Sequence, residues 1–228
     1  MSTPTRVRAQ RHRTMAEAAL VELQEAILTG HLPPGAPLRL ELLARTLDMS
    51  ISPVREAVRQ LEALGLAVHV PHRGARVSDI SIEDLHDTYE VRLALETLAV
   101  RRAAEHFGDE DAAPARAHLD EHVAAHERGE SREARAAHTA FHFALYAASG
   151  SDWLVRLIRP AWENCERYRS LSLESRIWLD RQREHERILA ACVDHRPDEA
   201  AAQLRKHLSL TANLIARQMG AGDLFPRE

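Results

Sequence analysis

Apolar residues in the first third of the chain follow two different spacings. A spacing of three or four residues, which lines up side chains on one face of a helix, covers residues 19–27, 40–47 and 51–64. Gly30 and the prolines after it end the first of these helices, and a short turn separates the second from the third. Between Ala67 and Val77, apolar residues alternate around a centre that contains Pro and Gly. This order predicts a helix-turn-helix followed by a two-stranded β-hairpin, the wing.

The rest of the chain carries helical spacing alone. Ser81 and Asp84 resemble a capping box at its start. Breaks near Gly108, Gly129, Gly150 and His195 divide it into six predicted helices: 82–106, 111–128, 131–148, 152–170, 176–194 and 197–219. Six such helices predict an antiparallel bundle. The predicted fold class is mainly α, with an N-terminal winged helix-turn-helix and a C-terminal all-α antiparallel helical bundle.

Length and charge distribution agree with this division. At 228 residues the chain exceeds the usual size of one domain. We predict a disordered basic arm at 1–14, a winged helix domain at 15–78 and a helical domain at 79–228. The net charge is −4, but residues 1–78 hold 10 Arg against 7 acidic residues, so the acidic excess lies in the second domain. A basic winged helix is typical of a DNA-binding domain.

Composition also excludes two kinds of protein. No apolar run approaches the roughly 18 residues of a membrane-spanning helix, and the arginines of the arm are not followed by the apolar stretch of a secretory signal. Cys165 and Cys192 lack a C-x-x-C partner, which argues against a disulfide framework and a thiolate zinc site. We therefore expect a cytoplasmic protein with no membrane partner.

Several motifs occur in an order that resembles a known family. They are Ile27-Leu28-Thr29-Gly30-His31-Leu32-Pro33-Pro34-Gly35, Leu43-Ala44, the run from Ser50 to Leu61, Gly65-Leu66 and Arg73-Gly74-Ala75-Arg76-Val77. Residues 15–78 thereby resemble the GntR family of regulators. The helical remainder resembles the FCD ligand-binding domain of the FadR subfamily, of the six-helix, VanR-like type. The resemblance implies a homodimeric transcriptional regulator, commonly a repressor, which binds a palindromic operator in double-stranded DNA and responds to a small organic acid.

The third predicted helix begins with residues suited to reading DNA. Small polar side chains at a helix N-terminus meet phosphate, and an Arg one turn later reaches a guanine edge. Ser50, Ser52 and Arg55 fit those roles. Either serine can cap the helix, and Pro53 fits the first turn, where no N–H is needed. Alternatively, Arg55 and Arg59 belong to a solvated helix face.

The resemblance adds specific roles. It implies that Arg55 reads a base and that Arg73 and Gly74 form the wing tip, which enters the minor groove. Arg59, one turn beyond Arg55, and Arg45 on the preceding helix are expected to contact phosphates.

Two residues depart from the family pattern. Ile51 stands where many relatives have an Arg that touches bases, and an apolar contact with a thymine methyl can replace that contact. Asp48 occupies the position of the usual turn glycine, and Asp tolerates left-handed backbone better than most residues. The turn is therefore expected to survive.

Histidine is abundant, with 14 in the chain. His138 and His142 are four residues apart, which on a helix brings them close enough to share one ion. His185 and His207 each lie on the apolar face of another helix, and facing helices of a bundle assemble metal sites. Four imidazoles favour zinc, or another late divalent ion, over magnesium or calcium; nickel and manganese are the other candidates. Taken singly, an inward histidine is more often a hydrogen-bonded core residue.

The resemblance strengthens the metal hypothesis. Metal-binding FCD domains use a D-x-x-x-H pair and two further histidines, so His142, His185 and His207 are implied as ligands. His138 stands at the usual Asp position, where a neutral imidazole makes the site more positive than a carboxylate does. A competing series on the preceding helix is interspersed with acidic residues and is interpreted as a solvated face: His118, His122 and His126.

Arg92 and Glu96 resemble the first FCD helix motif, in which an Arg helps to hold the effector. An ion with open coordination positions beside a guanidinium attracts carboxylates; the simpler alternative is an Arg92–Glu96 pair on one helix face. Two alternatives to an effector-binding metal remain open: the metal is purely structural, or the chain is a helical-bundle metalloenzyme. Because the residues between His138 and His142 lack the Glu of H-E-x-x-H, we predict a regulator and not an enzyme.

Overall fold

A computed structural model of the chain describes residues 14–170 and 178–226. The predicted basic arm, apart from Thr14, and the predicted start of the helix at 176 lie outside the described residues. The elements are α1 (Met15–Leu28), α2 (Leu40–Thr46), α3 (Ile51–Ala63), β1 (Ala67–Val70), β2 (Gly74–Val77), α4 (Ile82–Glu105), α5 (Asp109–Glu127), α6 (Ser131–Ala147), α7 (Asp152–Ser170), α8 (Trp178–Val193) and α9 (Pro197–Gln218). They form two compact units, which divide after Asp79.

Unit 1 contains α1, α2, α3 and the wing. Thr14 caps α1, because its hydroxyl accepts the Glu17 N–H at 3.1 Å and the Glu17 carboxylate accepts the Thr14 N–H at 3.0 Å. The three helices and the wing share one core, which includes Ala19, Leu23, Ile27, Leu43, Val54, Ala57, Val58, Leu61, Leu66 and Val77. Burying a Leu or Val side chain contributes roughly 1.5–3 kcal/mol, so this core holds α3 with its opposite face toward solvent.

Two turns of unit 1 place a residue other than glycine in left-handed backbone. Asp48 lies between α2 and α3 with a φ of 51°, and His72 lies at the wing tip with a φ of 62°. The wing strands are antiparallel, with Val70 opposite Gly74 next to the tip. Asp at the usual glycine position therefore adopts the conformation that the turn requires.

The start of α3 differs from the prediction in one respect. Ser50 occupies the N-cap position, as one of the two predicted alternatives has it, but its side chain does not make the expected capping hydrogen bond. Ser52 lies inside the helix, where it cannot serve as the cap, and Pro53 lies in the first turn as predicted. The Ser50 side chain instead lies exposed at the helix N-terminus.

Unit 2 is the helical bundle. α4 packs against α6, α7, α8 and α9, and α5 packs against α6 and α8. Their common core includes Leu85, Tyr89, Leu119, Phe141, Leu145, Tyr146, Ile158, Trp162, Ile188, Leu204 and Ile215. Ser81 caps α4 by accepting the Asp84 N–H at 3.0 Å, whereas the Asp84 carboxylate accepts the Tyr168 hydroxyl at 2.5 Å. Half of the predicted capping box is therefore present, and the other half is replaced by a contact with α7.

Two further features bear on the expectations from sequence. Cys165 and Cys192 are buried free thiols, as expected for a chain without a disulfide framework. Across residues 14–170 and 178–226, no helix combines the length and apolarity needed to cross a bilayer.

Candidate DNA-binding surface and metal centre

The predicted DNA contacts lie on the surface of unit 1. α3 buries the face that carries Val54 and Leu61, which leaves its N-terminus and opposite face to solvent. Pro53 is half-buried. The other predicted contacts are exposed: Ser50, Ser52, Arg55, Arg59, Arg73 and Gly74.

A cleft of about 730 Å³ lies between α3, the wing and the segment before α2. Arg55 and Arg59 line it from α3, Arg73 from the wing and Arg39 from the segment before α2, together with two glutamates. Arginines gathered in one cleft concentrate positive potential and suit contact with phosphates. Arg45 is exposed but does not line the cleft. Sequence reasoning missed Arg39, because it stands in an irregular segment where no periodicity marks a face.

The four predicted metal-ligating histidines converge inside unit 2. His138 and His142 lie on α6, His185 on α8 and His207 on α9, and all four are buried. Each offers one ring nitrogen, and these four atoms lie within 4.8 Å of one another. His185 Nε2 is 3.2 Å from His138 Nε2 and 3.1 Å from His142 Nε2. Nitrogens bound to one ion at the usual zinc distance lie about 3.0–3.4 Å apart, so this group, here called the histidine cluster, could hold a metal ion.

The donor chemistry of the histidine cluster also fits a cation. A neutral imidazole has one N–H, and its other nitrogen has a single lone pair. His185 Nε2 faces two other ring nitrogens, and only one of these two contacts can be a good hydrogen bond. In the other contact, either two lone pairs or two N–H groups face each other. A cation that accepts the lone pairs removes this conflict.

Two of the histidines are oriented by acceptors outside the cluster. His207 Nδ1 donates to the Glu184 carboxylate at 2.7 Å. His142 Nδ1 is 3.1 Å from the Tyr146 hydroxyl, which donates its own proton to Glu96 at 2.6 Å. The Tyr146 oxygen therefore accepts from His142. Such partners fix the tautomer that turns Nε2 toward a metal and increase its basicity as a ligand.

His138 has a different neighbour. Its Nδ1 is 3.0 Å from Arg169 Nη1, which also donates to the Glu166 carboxylate at 2.7 Å. The side chains of Arg169 and Glu166 are only 13% and 8% exposed. Sequence reasoning missed Arg169, although its spacing places it on the same face of α7 as buried Trp162 and Cys165. A charged residue in register with an apolar face was the available indication.

Protonation states agree with a metal centre. Burial lowers the pKa of His138 well below its ordinary range, and the Arg169 charge and the neighbouring histidines lower it further. Burial likewise lowers the pKa of His142, together with His185, His207 and the nearby arginines. Both imidazoles are therefore neutral at pH 7, as a metal ligand must be.

The interpretation of the α5 histidines as a solvated face is wrong for His122. This residue is buried, its Nδ1 donates to the Ala134 carbonyl at 2.7 Å, and its ring centroid lies 5.0 Å from that of His138. Burial lowers the pKa of His122 to about 4, although the Ala134 hydrogen bond acts in the opposite direction. His118 is half-buried and His126 is exposed. His122 lies beside the histidine cluster, outside the group whose nitrogens converge.

Arg92, the predicted effector contact, lies in a buried ion pair. Its Nε and Nη2 donate to the two Glu96 oxygens at 2.6 and 3.1 Å. The guanidinium also lies over the rings of Trp162 and Tyr89, 4.6 and 5.1 Å from their centroids. Burial alone disfavours the charged guanidinium, but Glu96 raises the pKa of Arg92 above its ordinary range. The pairing alternative is therefore present, and Glu96 links it to the hydrogen bonds that end at His142.

Comparison with known proteins identifies related chains. The FCD domain family matches residues 87–210, and the family of bacterial regulatory proteins, gntR family, matches residues 15–77. The chain is 31% identical over 210 residues to the HTH-type transcriptional repressor GlaR of Escherichia coli (strain K12), covering 88% of this chain and 95% of GlaR. It is 38% identical over 130 residues to the probable D-xylose utilization operon transcriptional repressor of Paenarthrobacter nicotinovorans, covering 57% of each. Among solved structures, E. coli McbR/YncC superposes with a TM-score of 0.79 at 22% identity, covering 90% of this chain and 99% of McbR/YncC, which shows likeness of fold.

Proposed function

Because this chain belongs to the GntR family and carries an FCD domain, it is a DNA-binding transcriptional regulator, and we propose that it is a repressor controlled by a small carboxylate. The observation that carries the control by a ligand is the convergence of four buried histidines in unit 2. Two relatives are named repressors, which supports the sign. Its relatives are regulators and not enzymes, so the metalloenzyme alternative is set aside. A DNA target in a bacterial cell corresponds to a cytoplasmic location.

We propose that residues 15–78 read DNA with α3 in the major groove. The exposed N-terminus of α3 and the arginines of the cleft support this placement. Arg55 contacts a guanine edge, and Arg59 contacts a phosphate. The remaining contacts are the start of α3 against phosphate and the wing tip in the minor groove: Ser50, Ser52, Pro53, Arg73 and Gly74.

Two arginine variants test this placement on an operator selected from random-sequence DNA. Loss of a bidentate base contact costs about 1–3 kcal/mol of discrimination, so Arg55→Ala lowers operator affinity strongly and random-DNA affinity little. Arg59→Ala weakens both alike, because a phosphate contact carries no sequence information. Arg205→Ala, an exposed position on α9, serves as the charge control in fluorescence anisotropy titrations. Equal loss on operator and random DNA in Arg55→Ala contradicts base reading.

We propose that residues 79–228 also hold two copies together as a homodimer on a palindromic operator. Large apolar side chains left exposed on two adjacent helices support this: Val91 and Leu98 on α4, and Trp153 and Leu157 on α7, all at least 45% exposed. Leu98→Glu is expected to yield monomers by light scattering at concentrations where the wild type is dimeric. Leu42→Glu alters a leucine of unit 1 that is slightly more exposed than Leu98, and it is expected to leave the dimer intact. If the Leu98→Glu variant is still a dimer, α4 is rejected as the interface.

We propose that the histidine cluster binds a divalent ion, zinc first, with nickel or manganese as the other candidates. Neutral imidazole nitrogens suit these ions, and such an ion supplies a Lewis acid that binds a carboxylate oxygen. Glu96 already accepts from Nε and Nη2 of Arg92, so a direct contact between Arg92 and a bound carboxylate stays a prediction. Binding then shifts the population between dimer arrangements that fit the operator differently.

Metal analysis of the purified protein, followed by thermal melting with sugar acids, hydroxy acids and amino acids, tests the control by a ligand. We expect at least one acid to raise the melting temperature of the metal-loaded protein and to leave the chelated protein unchanged. If the metal is present but no acid shifts the melting temperature of the metal-loaded protein, the result supports a purely structural ion instead.

A further inference from the structure

The hydrogen bond between Arg169 and His138 fixes which nitrogen of His138 carries the proton. A guanidinium has donors only, so His138 Nδ1, 3.0 Å from Arg169 Nη1, accepts. A neutral His138 that accepts at Nδ1 carries its proton on Nε2. Glu166 holds Arg169 in place at 2.7 Å, and the pair is largely buried, so the contact has little freedom to rearrange.

His142 and His207 carry their protons on the opposite nitrogen. His207 Nδ1 donates to the Glu184 carboxylate, and His142 Nδ1 donates to Tyr146, whose own proton goes to Glu96. In both rings the Nε2 lone pair is therefore directed into the cluster. A metal ligand needs such a lone pair.

His138 instead presents an N–H where the other two present lone pairs. Its Nε2 is 3.2 Å from His185 Nε2, where that N–H has an acceptor. To bind a metal through Nε2, His138 must lose its one remaining ring proton, or that proton must move to Nδ1, which breaks the hydrogen bond from Arg169. Both carry a free-energy cost that His142 and His207 do not bear.

We propose that the metal site has three histidine ligands, His142, His185 and His207, and that His138, oriented by Arg169, donates a hydrogen bond to an anion bound on the metal. This inference rests on the proposed metal binding and specifies its ligand set. Three protein ligands leave coordination for an exogenous ligand, whereas four close a tetrahedral site. The ligand class is a small anion with an oxygen or nitrogen acceptor, such as a carboxylate.

Cobalt binding to the full-length protein tests the ligand set. Co²⁺ titrations, followed by visible absorption, are compared in the wild type, His138→Ala and His142→Ala. We expect His138→Ala to bind Co²⁺ within about fivefold of the wild-type affinity and with a similar spectrum, and His142→Ala to bind at least about 100-fold more weakly. Tryptophan fluorescence and far-UV circular dichroism of the metal-free proteins show that each variant is folded.

Azide, a small anion that binds cobalt, tests the donor role. We expect the azide affinity of the cobalt protein to fall at least about tenfold in His138→Ala. Arg169→Lys retains a donor beside His138 Nδ1 and is expected to retain azide binding. Arg169→Met combined with Glu166→Gln removes that donor without leaving a buried carboxylate unpaired, which allows His138 to become a ligand. Its cobalt spectrum is therefore expected to change and its azide affinity to fall.

The results separate this inference from the proposed function. Loss of Co²⁺ in His138→Ala as severe as in His142→Ala makes His138 a ligand and overturns the inference, while metal binding itself stands. Unchanged azide affinity in folded His138→Ala overturns the donor role. A wild type that binds no Co²⁺ or other divalent ion overturns the metal binding and this inference together.

Discussion

Glu96→Gln is expected to destabilise unit 2 far more than the loss of an ordinary ion pair. Arg92 and Glu96 are 3% and 0% exposed, and two hydrogen bonds at 2.6 and 3.1 Å join them. The variant preserves the size of the side chain and an acceptor for Tyr146, but it leaves the Arg92 charge buried without a counterion. Removing one partner of a buried pair costs about 3–5 kcal/mol, a large share of a typical total stability of about 5–15 kcal/mol.

An exposed pair that joins α4 to α9 supplies the control. Arg101 lies 2.8 Å from Asp198, and the two side chains are 53% and 81% exposed. Exposed pairs contribute about 0–1 kcal/mol, so Asp198→Asn is expected to have little effect. Both pairs join an Arg to a carboxylate at a similar distance, 2.6 and 2.8 Å, so burial is the main difference between the two variants.

Urea unfolding followed by tryptophan fluorescence measures both variants, since Trp153, Trp162 and Trp178 all belong to unit 2. Protein concentration is fixed and a chelator is present, so that dimerisation and metal binding do not enter the comparison. The combined variant Arg92→Met with Glu96→Gln removes both charges and is expected to be more stable than Glu96→Gln alone. A Glu96→Gln protein within about 1 kcal/mol of Asp198→Asn would refute the buried-charge reasoning.

Two other substitutions test the surroundings of the histidine cluster. Glu184→Gln replaces the carboxylate that accepts from His207, and loss of such a partner weakens metal affinity about 10–100-fold; Glu186→Gln, on the same helix, should leave a competition titration unchanged. His122 has its pKa lowered to about 4, so its contribution to stability is present above about pH 6.5 and is lost as the pH falls toward 4. Between pH 7 and 5 that loss is about 2 kcal/mol in the metal-free protein. His122→Gln should remove this part of the decline in urea unfolding, and exposed His126→Gln should not; an unchanged decline in His122→Gln would contradict a neutral buried imidazole.

Periodicity was sufficient to predict the secondary structure where one face of an element is buried. The helix predicted at 82–106 is Ile82–Glu105, and the hairpin predicted within 67–77 is β1 and β2. Hydrophobic spacing also identified α3 and its solvent face, because Val54 and Leu61 follow the helical repeat. These features depend on local sequence, so each segment alone contained the information needed to predict its own secondary structure.

Features that depend on a second element could not be predicted in this way. His122 stands among acidic residues on α5, and its burial follows from α6, which supplies the Ala134 carbonyl. The strength of the Arg92–Glu96 pair likewise depends on α7, which covers it with Trp162. Spacing along one helix predicted the pair but not its burial.

Charge around the histidine cluster links metal and anion binding. Two arginines near it are each balanced by a carboxylate, in the pairs Arg92–Glu96 and Arg169–Glu166. A neutral imidazole brings no charge, so the ring nitrogens of the histidine cluster do not neutralise the two positive charges of a divalent ion. An Asp in place of His138, as the family resemblance implies for relatives, would have cancelled one of those charges. Charges interact strongly in buried surroundings, so an anionic ligand is expected to strengthen metal binding here, and the metal must strengthen anion binding by the same factor.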